Sequence, residues 1–143
     1  MARGDVTVFE EAKAYIIDGG WEAADDIKCA ILDNTLAPTA ADATPTLGEY
    51  TEVGTGGTYV AGGTSLGNLG TCVSESGGTM MFDSATNPSW AQNASNDTDA
   101  YWGFIHHVTS GLGMAFVDLG GPVDMTAGDL TITWNGSGIF TIA

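Results

Sequence analysis

Basic residues are nearly missing from this chain. Three Lys and Arg stand against 18 Asp and Glu, a formal net charge of -15. A nucleic-acid-binding surface neutralises phosphates with Lys and Arg, and three such residues cannot build one. Docking on an anionic membrane needs the same basic cluster and is excluded with it. A less acidic or basic protein surface is the partner this charge leaves open. The charge also keeps copies apart in solution, and a saline setting would screen it.

Cysteine and proline are scarce, with two and four residues. Cys29 and Cys72 sit among small or apolar neighbours, in KCAI and TCVS. They read as two buried thiols in a reducing compartment rather than as a disulfide. No run of about 18 apolar residues occurs, so no membrane-spanning helix is expected. MARGDVTVFEEAKAYIIDGG carries acids where a secretory signal needs an unbroken apolar core. Synthesis in a cytoplasm is the expectation.

The motifs of common enzyme chemistry are missing too. There is no nucleophile elbow, Walker motif or dinucleotide fingerprint. Gly54-Thr55-Gly56-Gly57 is glycine-rich, but no helix follows it to present its N-terminus to a phosphate.

What is present is 21 glycines in a chain that is 43% hydrophobic. That composition fits a turn-rich folded protein better than a disordered one. At 143 residues the chain reads as a single domain, 1–143. A domain near this size buries roughly 68–70% of its unfolded surface and needs no staple. Val8, Phe9, Ala12, Tyr15 and Ile16 recur at helical spacing, which predicts one N-terminal helix at about 7–17, capped by Thr7 or Asp5. Glu10 and Glu11 suit its first turn, and Asp18-Gly19-Gly20 ends it.

After the helix the pattern changes period. Ile27, Cys29 and Ile31 alternate with Lys28, Ala30 and Leu32, a strand ending at Asp33-Asn34. Thr35 to Pro45 is a polar surface excursion, and 49–53 a short strand. Thr71–Ser76 and Thr79–Asp83 flank Gly77-Gly78 as a hairpin. Residues 84–99 read as a loop around Trp90. Strands are then expected at 101–109, 114–119, 123–125, 129–134 and 138–142, in an antiparallel meander. The 101–108 and 114–119 runs are apolar on both faces and belong at the centre of a sheet. Leu130, Ile132 and Trp134 face one way, and Asn135-Gly136 signals a hairpin. The fold class is mainly β, a single-domain antiparallel β-sandwich or barrel-like domain with one short N-terminal helix.

Several clusters invite chemistry. His106 and His107 are adjacent, so in a strand they point to opposite faces and cannot easily share one ion. The expectation is one packed and one partly exposed histidine. Asn93, Ser95, Asp97 and Asp99 have the spacing of calcium-loop ligands. The sixth position is Thr98 instead of Gly, and the twelfth is Phe104 instead of Glu. An Asx-rich loop bonding to its own backbone is the simpler reading, with a non-standard calcium site as the alternative. Asp25 and Asp26, with Glu22 beside them, lack a cleft and read as a solvated turn rather than an acid pair. Trp90, Trp102, Trp134 and Trp21 read as core or interface anchors, with Trp102 and Trp134 buried, rather than as a carbohydrate platform. No catalytic residue, cofactor or metal ligand is assigned, and no enzymatic activity is expected.

SWAQNASNDTDAYWGFIHH followed by AFVDLGGPVDMTAGDLTITWNGSGIFTIA resembles the end of a family of small virion proteins of tailed bacteriophages. Tyr101-Trp102-Gly103, Gly120-Gly121, Ala127-Gly128-Asp129 and Gly138-Ile139-Phe140 carry the likeness. Near the start, DIKCAILDN, the T/P-rich segment and TYVAGGTSL continue it. The resemblance implies a virion component, a capsid decoration (cement) protein on the outer surface of the head. Its implied partner is the major capsid protein, bound by a homo-oligomer, dimer or trimer, without nucleic acid or membrane. Arg3, Phe9, Tyr15 and Trp21 are the expected contact residues. A tail or fibre component is the alternative, and a small hydrolase a more distant one.

Overall fold

The computed structural model describes residues 1–18 and 20–142. Its frame is a five-stranded antiparallel sheet in the order β1-β8-β7-β2-β3, formed by Val6–Val8, Gly113–Val123, Ala100–His107, Asp26–Leu32 and Thr64–Asn68. Helix α1 (Glu10–Asp18) and a 3-10 turn (Leu47–Glu49) flank this sheet. A second sheet joins β4 (Val73–Ser76), β5 (Thr79–Phe82) and β10 (Phe140–Ile142), and a two-stranded ribbon pairs β6 (Ser89–Trp90) with β9 (Leu130–Thr131). A short helix α2 (Leu69–Cys72) leads from β3 into β4. The domain is mainly β and sandwich-like, as the strand patterning predicts.

The period-two alternation of β2 sorts its side chains onto two cores. Ile27, Cys29 and Ile31 join a large cluster with Ile105, Val117, Trp90, Leu130 and Ile132. Ala30 and Leu32 join the opposite cluster with Phe9, Ala12, Tyr50, Phe104 and Phe116. In that second cluster the rings of Phe9 lie 5.6 Å from Phe104 and 5.0 Å from Phe116, with Tyr50 5.1 Å from Phe104. Each such ring contributes roughly 1.5–3 kcal/mol by burial. The runs at 100–107 and 113–119 therefore lie centrally, covered on both faces.

Several boundaries differ from the sequence reading. The helix starts at Glu10, because Val6–Val8 pairs with Ala115–Val117 as an edge strand. Phe9 sits between the two elements with no exposed surface, so it is a core residue and not a contact residue. Residues 49–53 make only the 3-10 turn and a single bridge from Glu52 to Leu32. The excursion at 35–45 runs over the surface, yet it buries Pro38 and Pro45. Trp90 lies in a strand rather than a loop, and the expected strand at 114–119 runs on to Val123 as β8, leaving Asp124 and Met125 outside any strand.

The final meander does not form. Residues 129–134 alternate as expected, with Leu130 and Ile132 buried and Thr131 and Thr133 exposed. Their backbone is claimed by 86–90 instead of by the following strand. Ile132 N–H donates to the Pro88 carbonyl, and Trp134 N–H to Asn87 Oδ1. Strand β10 is drawn to β5, where Phe140 stacks on Phe82 at 5.0 Å. The turn at Asn135 closes through Gly138 N–H, but its two arms part into separate sheets.

Gly63 is where the chain crosses closest to the frame. Its φ is +77°, and a Cβ there would lie 1.8 Å from the Cys29 carbonyl oxygen. Left-handed backbone alone costs a non-glycine residue roughly 1–3 kcal/mol, and the overlap with rigid backbone adds to it. Gly63→Ala is therefore expected to lower the urea midpoint sharply. Gly48→Ala, where a Cβ meets nothing within 4 Å, should stay within about 0.5 kcal/mol of the parent. Equal midpoints for the two variants would contradict this packing.

Candidate functional site: a histidine relay beside an apolar cleft

Strand β7 ends at His107, and the tight turn that follows brings Ser110 back onto the same ring. Gly111, at φ +71°, completes the turn and donates its N–H to the His107 carbonyl at 2.8 Å. His107 Nδ1 lies 2.7 Å from Ser110 Oγ and accepts the Ser110 backbone N–H at 3.2 Å. An accepting Nδ1 places the ring proton on Nε2. Nε2 lies 2.9 Å from Asp25 Oδ2, close enough for an ion pair, though it misses the alignment of a linear hydrogen bond. Asp25 reaches this point because β2 pairs with β7, and Val108 N–H donates to the carbonyl of its neighbour Asp26. Glu22 N–H, donated to Asp25 at 2.6 Å, is the main cause that holds the Asp25 carboxyl below the usual carboxylate range. His107 adds to that effect.

Trp21 covers the relay. Its ring stacks on His107 at 6.0 Å and on Tyr15 at 5.9 Å. The Trp21 Nε1–H is buried and has no partner among the described residues. Trp21 also lines an apolar cleft of about 350 Å³ between α1 and the β4–β5 hairpin, with Tyr15, Ile16, Leu69, Val73, Met80 and Phe140. Asp18, Glu22 and Glu75 are exposed on the elements that form it. Of the expected contact residues, Tyr15 and Trp21 thus belong to one surface feature. Arg3 borders a different groove beside Val117–Leu119 and Leu130–Asn135.

The histidine pair departs from the sequence reading in burial. His106 and His107 are only 3% and 4% exposed, so neither is the partly exposed member. Sheet geometry does send them to different surroundings. His106 Nε2 bonds the Gly62 carbonyl at 3.0 Å, because the loop before β3 folds over that face. Its Nδ1 has no partner among the described residues. No group of three or more His, Cys, Asp or Glu is arranged to hold a metal among the described residues.

The loop at 93–99 spends its side chains on backbone. Asn93 Oδ1 accepts Ser95 N–H, Asp97 Oδ1 accepts Thr98 and Asp99 N–H, and Asp97 Oδ2 accepts Gly54 N–H at 2.9 Å. The Gly54 contact chiefly holds the Asp97 carboxyl below its usual range. This is the Asx arrangement the sequence suggests. Asp26 accepts the Ser65 hydroxyl and has no part in the relay, so the acid pair splits. Trp102 and Trp134 are half-buried rather than buried, and their indole N–H groups reach Asn34 Oδ1 and the Thr86 carbonyl. Cys29 and Cys72 are buried free thiols, and burial pushes the Cys29 thiol up to about 12.

Sequence reasoning missed Ser110. Its only local mark is position: a serine three residues after a histidine, just before the glycine of a turn. Asp25 is distant in sequence, and only the β2–β7 register brings it to the ring. Compared with known proteins, the chain matches no family model, no curated protein and no solved structure.

Burial is the main cause that pushes the His106 imidazole below its ordinary value of 6.5, while the Gly62 carbonyl partly opposes it. A group whose folded pKa is depressed binds fewer protons folded than unfolded. It supports the fold above the unfolded value, and that support is lost as pH falls through the folded one. Stability should therefore decline from about pH 6.5 downward, before Asp25, Asp97 and Asp124 lose their own contributions below the ordinary carboxylate value of 3.8. Urea titrations between pH 7 and 5 should show a shallower decline for His106→Gln. An unchanged slope would assign the acid sensitivity elsewhere.

Proposed function

We propose that this protein is a decoration (cement) protein of a tailed-phage head, seated on the outer surface of the major capsid protein and stabilising the shell. The observation that carries the reading is the apolar cleft at Tyr15, Trp21, Val73 and Met80 on a chain of charge -15. The resemblance of the 89–107 and 115–143 segments to small phage virion proteins supports it. A cleft of this kind takes an apolar side chain of the shell, packed against the Trp21 and Tyr15 rings. The acids around it remain solvated, since burying unpaired carboxylates at a seam costs too much. They favour a basic border on the partner. The charge also suits the outside of a head better than the inside, where it would face DNA phosphates. Several copies, joined as a dimer or trimer or spread over neighbouring seams, gain avidity through effective concentration.

A tail or fibre component is the second reading. It shares the β-rich architecture but predicts few copies at one pole of the particle. Two experiments separate the readings. Heads made without the gene should assemble and then leak DNA on heating, and adding the purified protein should restore them. The partly exposed Val73, changed to Glu, should fold normally and fail to restore them. Antibody against the protein should label intact heads over their whole surface. Labelling confined to the tail, with head stability unchanged by the deletion, would overturn the head assignment.

A further inference from the structure

We propose that Ser110 is an acyl-acceptor site, whose hydroxyl is activated by His107 and Asp25 toward small neutral or cationic carboxylic esters. The inference is independent of where the protein sits in a particle. Three side chains from two remote segments meet, with Ser110 Oγ hydrogen-bonded to His107 Nδ1 at 2.7 Å and Asp25 Oδ2 at ion-pair distance, 2.9 Å, from His107 Nε2. The backbone orients the serine hydroxyl. Leu112 N–H donates to Ser110 Oγ at 3.2 Å, so the hydroxyl proton is left to point at Nδ1. Trp21 packs against the His107 ring, and Glu22 N–H holds the carboxylate. Ser110 itself is exposed at the tip of the turn, open to a reagent from solvent. The two ring nitrogens are exchanged relative to the usual Ser-His-Asp order; the Ser110–Nδ1 hydrogen bond carries the proton, and the Asp25 charge beside Nε2 stabilises the imidazolium that forms.

The step balances without a further reactant. Ser110 Oγ bonds to the ester carbonyl carbon as its proton passes to His107 Nδ1. The bond from that carbon to the leaving oxygen then breaks, and the departing alkoxide takes the proton from Nδ1. The products are acyl-Ser110 and a free alcohol. The turn also sets a limit. The N–H groups of Ser110, Gly111 and Leu112 already donate to His107 Nδ1, the His107 carbonyl and Ser110 Oγ. None of the three remains to stabilise an oxyanion, a device worth about 100- to 1,000-fold in rate. That lack slows attack by Ser110 and by water alike; an activated ester with a good leaving group offsets it in the first step only, so the site loads once instead of turning over. The charge of -15 disfavours anionic donors, and the open tip selects small acyl groups.

The test uses the full chain and p-nitrophenyl acetate. The expected result is a rapid release of one p-nitrophenolate per chain, followed by a slow phase. Peptide mass mapping should place the acetyl group on Ser110, with roughly 100-fold more there than on the exposed Ser74. Ser110→Ala should abolish the burst and keep the circular dichroism spectrum. Asp25→Asn should slow the burst by about tenfold or more, with any acetyl group still on Ser110. Thr109→Ala should leave it unchanged. Acetyl groups confined to Lys13, Lys28 or the N-terminus would overturn the proposal. So would a burst that survives Ser110→Ala, or Ser110 labelled no faster than Ser74. Failure of these results would leave head binding untouched, and failure to bind heads would leave Ser110 chemistry untouched.

Discussion

The antiparallel pairing of β2, β7 and β8, buried on both faces, is the constraint on which the rest of the molecule depends. Ile27, Cys29, Ile31, Ile105 and Val117 need a covering layer on one side, and Leu32, Phe104 and Phe116 need another on the opposite side. That double requirement explains the accessory parts. Helix α1, Phe9 and the turn at Leu47–Glu49 serve one face, and the two small sheets serve the other. Gly103 sits in β7 where Val117 and Ile132 come within 2.6 and 2.9 Å of a would-be Cβ. The frame thus admits the crossing segment at 130–134 only over a residue without a side chain.

The same pairing builds the candidate site. The β2–β7 register places Ile27 opposite His107, and Asp25 follows just before the strand begins. His106 is closed over by the Gly62 loop and His107 by Trp21. The polar ring atoms then need partners, and the turn at Ser110 and the acid at Asp25 serve His107. Trp21 links the two features, since it stacks on His107 and also lines the apolar cleft.

Much of the frame was legible in the residues. Alternation at 27–32, double-sided apolarity at 101–108 and the Gly77-Gly78 hairpin all describe local period, which a sequence carries directly. The helix boundary failed because Val8 suits either a helix face or an edge strand, and only pairing with Ala115 decides between them. The Asn135-Gly136 hairpin failed for a similar reason. Turn chemistry specifies a reversal but not which neighbour the arms join, and Phe82 and Pro88 claimed them. The site was the least legible part. Tyr15 and Trp21 could be singled out as aromatic residues near the helix, but their stacking, and the meeting of Asp25 with Ser110, are products of tertiary register. Phe9 carried the same aromatic mark and lies in the core.

A reconstruction of the intact phage particle tests the central claim most directly, because it reports location, copy number and contact face together. The account predicts density for this domain over the outer surface of the head. The cleft between α1 and the β4–β5 hairpin should face the shell, with an apolar side chain of the capsid protein beside Trp21 and the exposed acids turned to solvent. Density for this domain at the tail alone, or on the head with that cleft facing solvent, would contradict it.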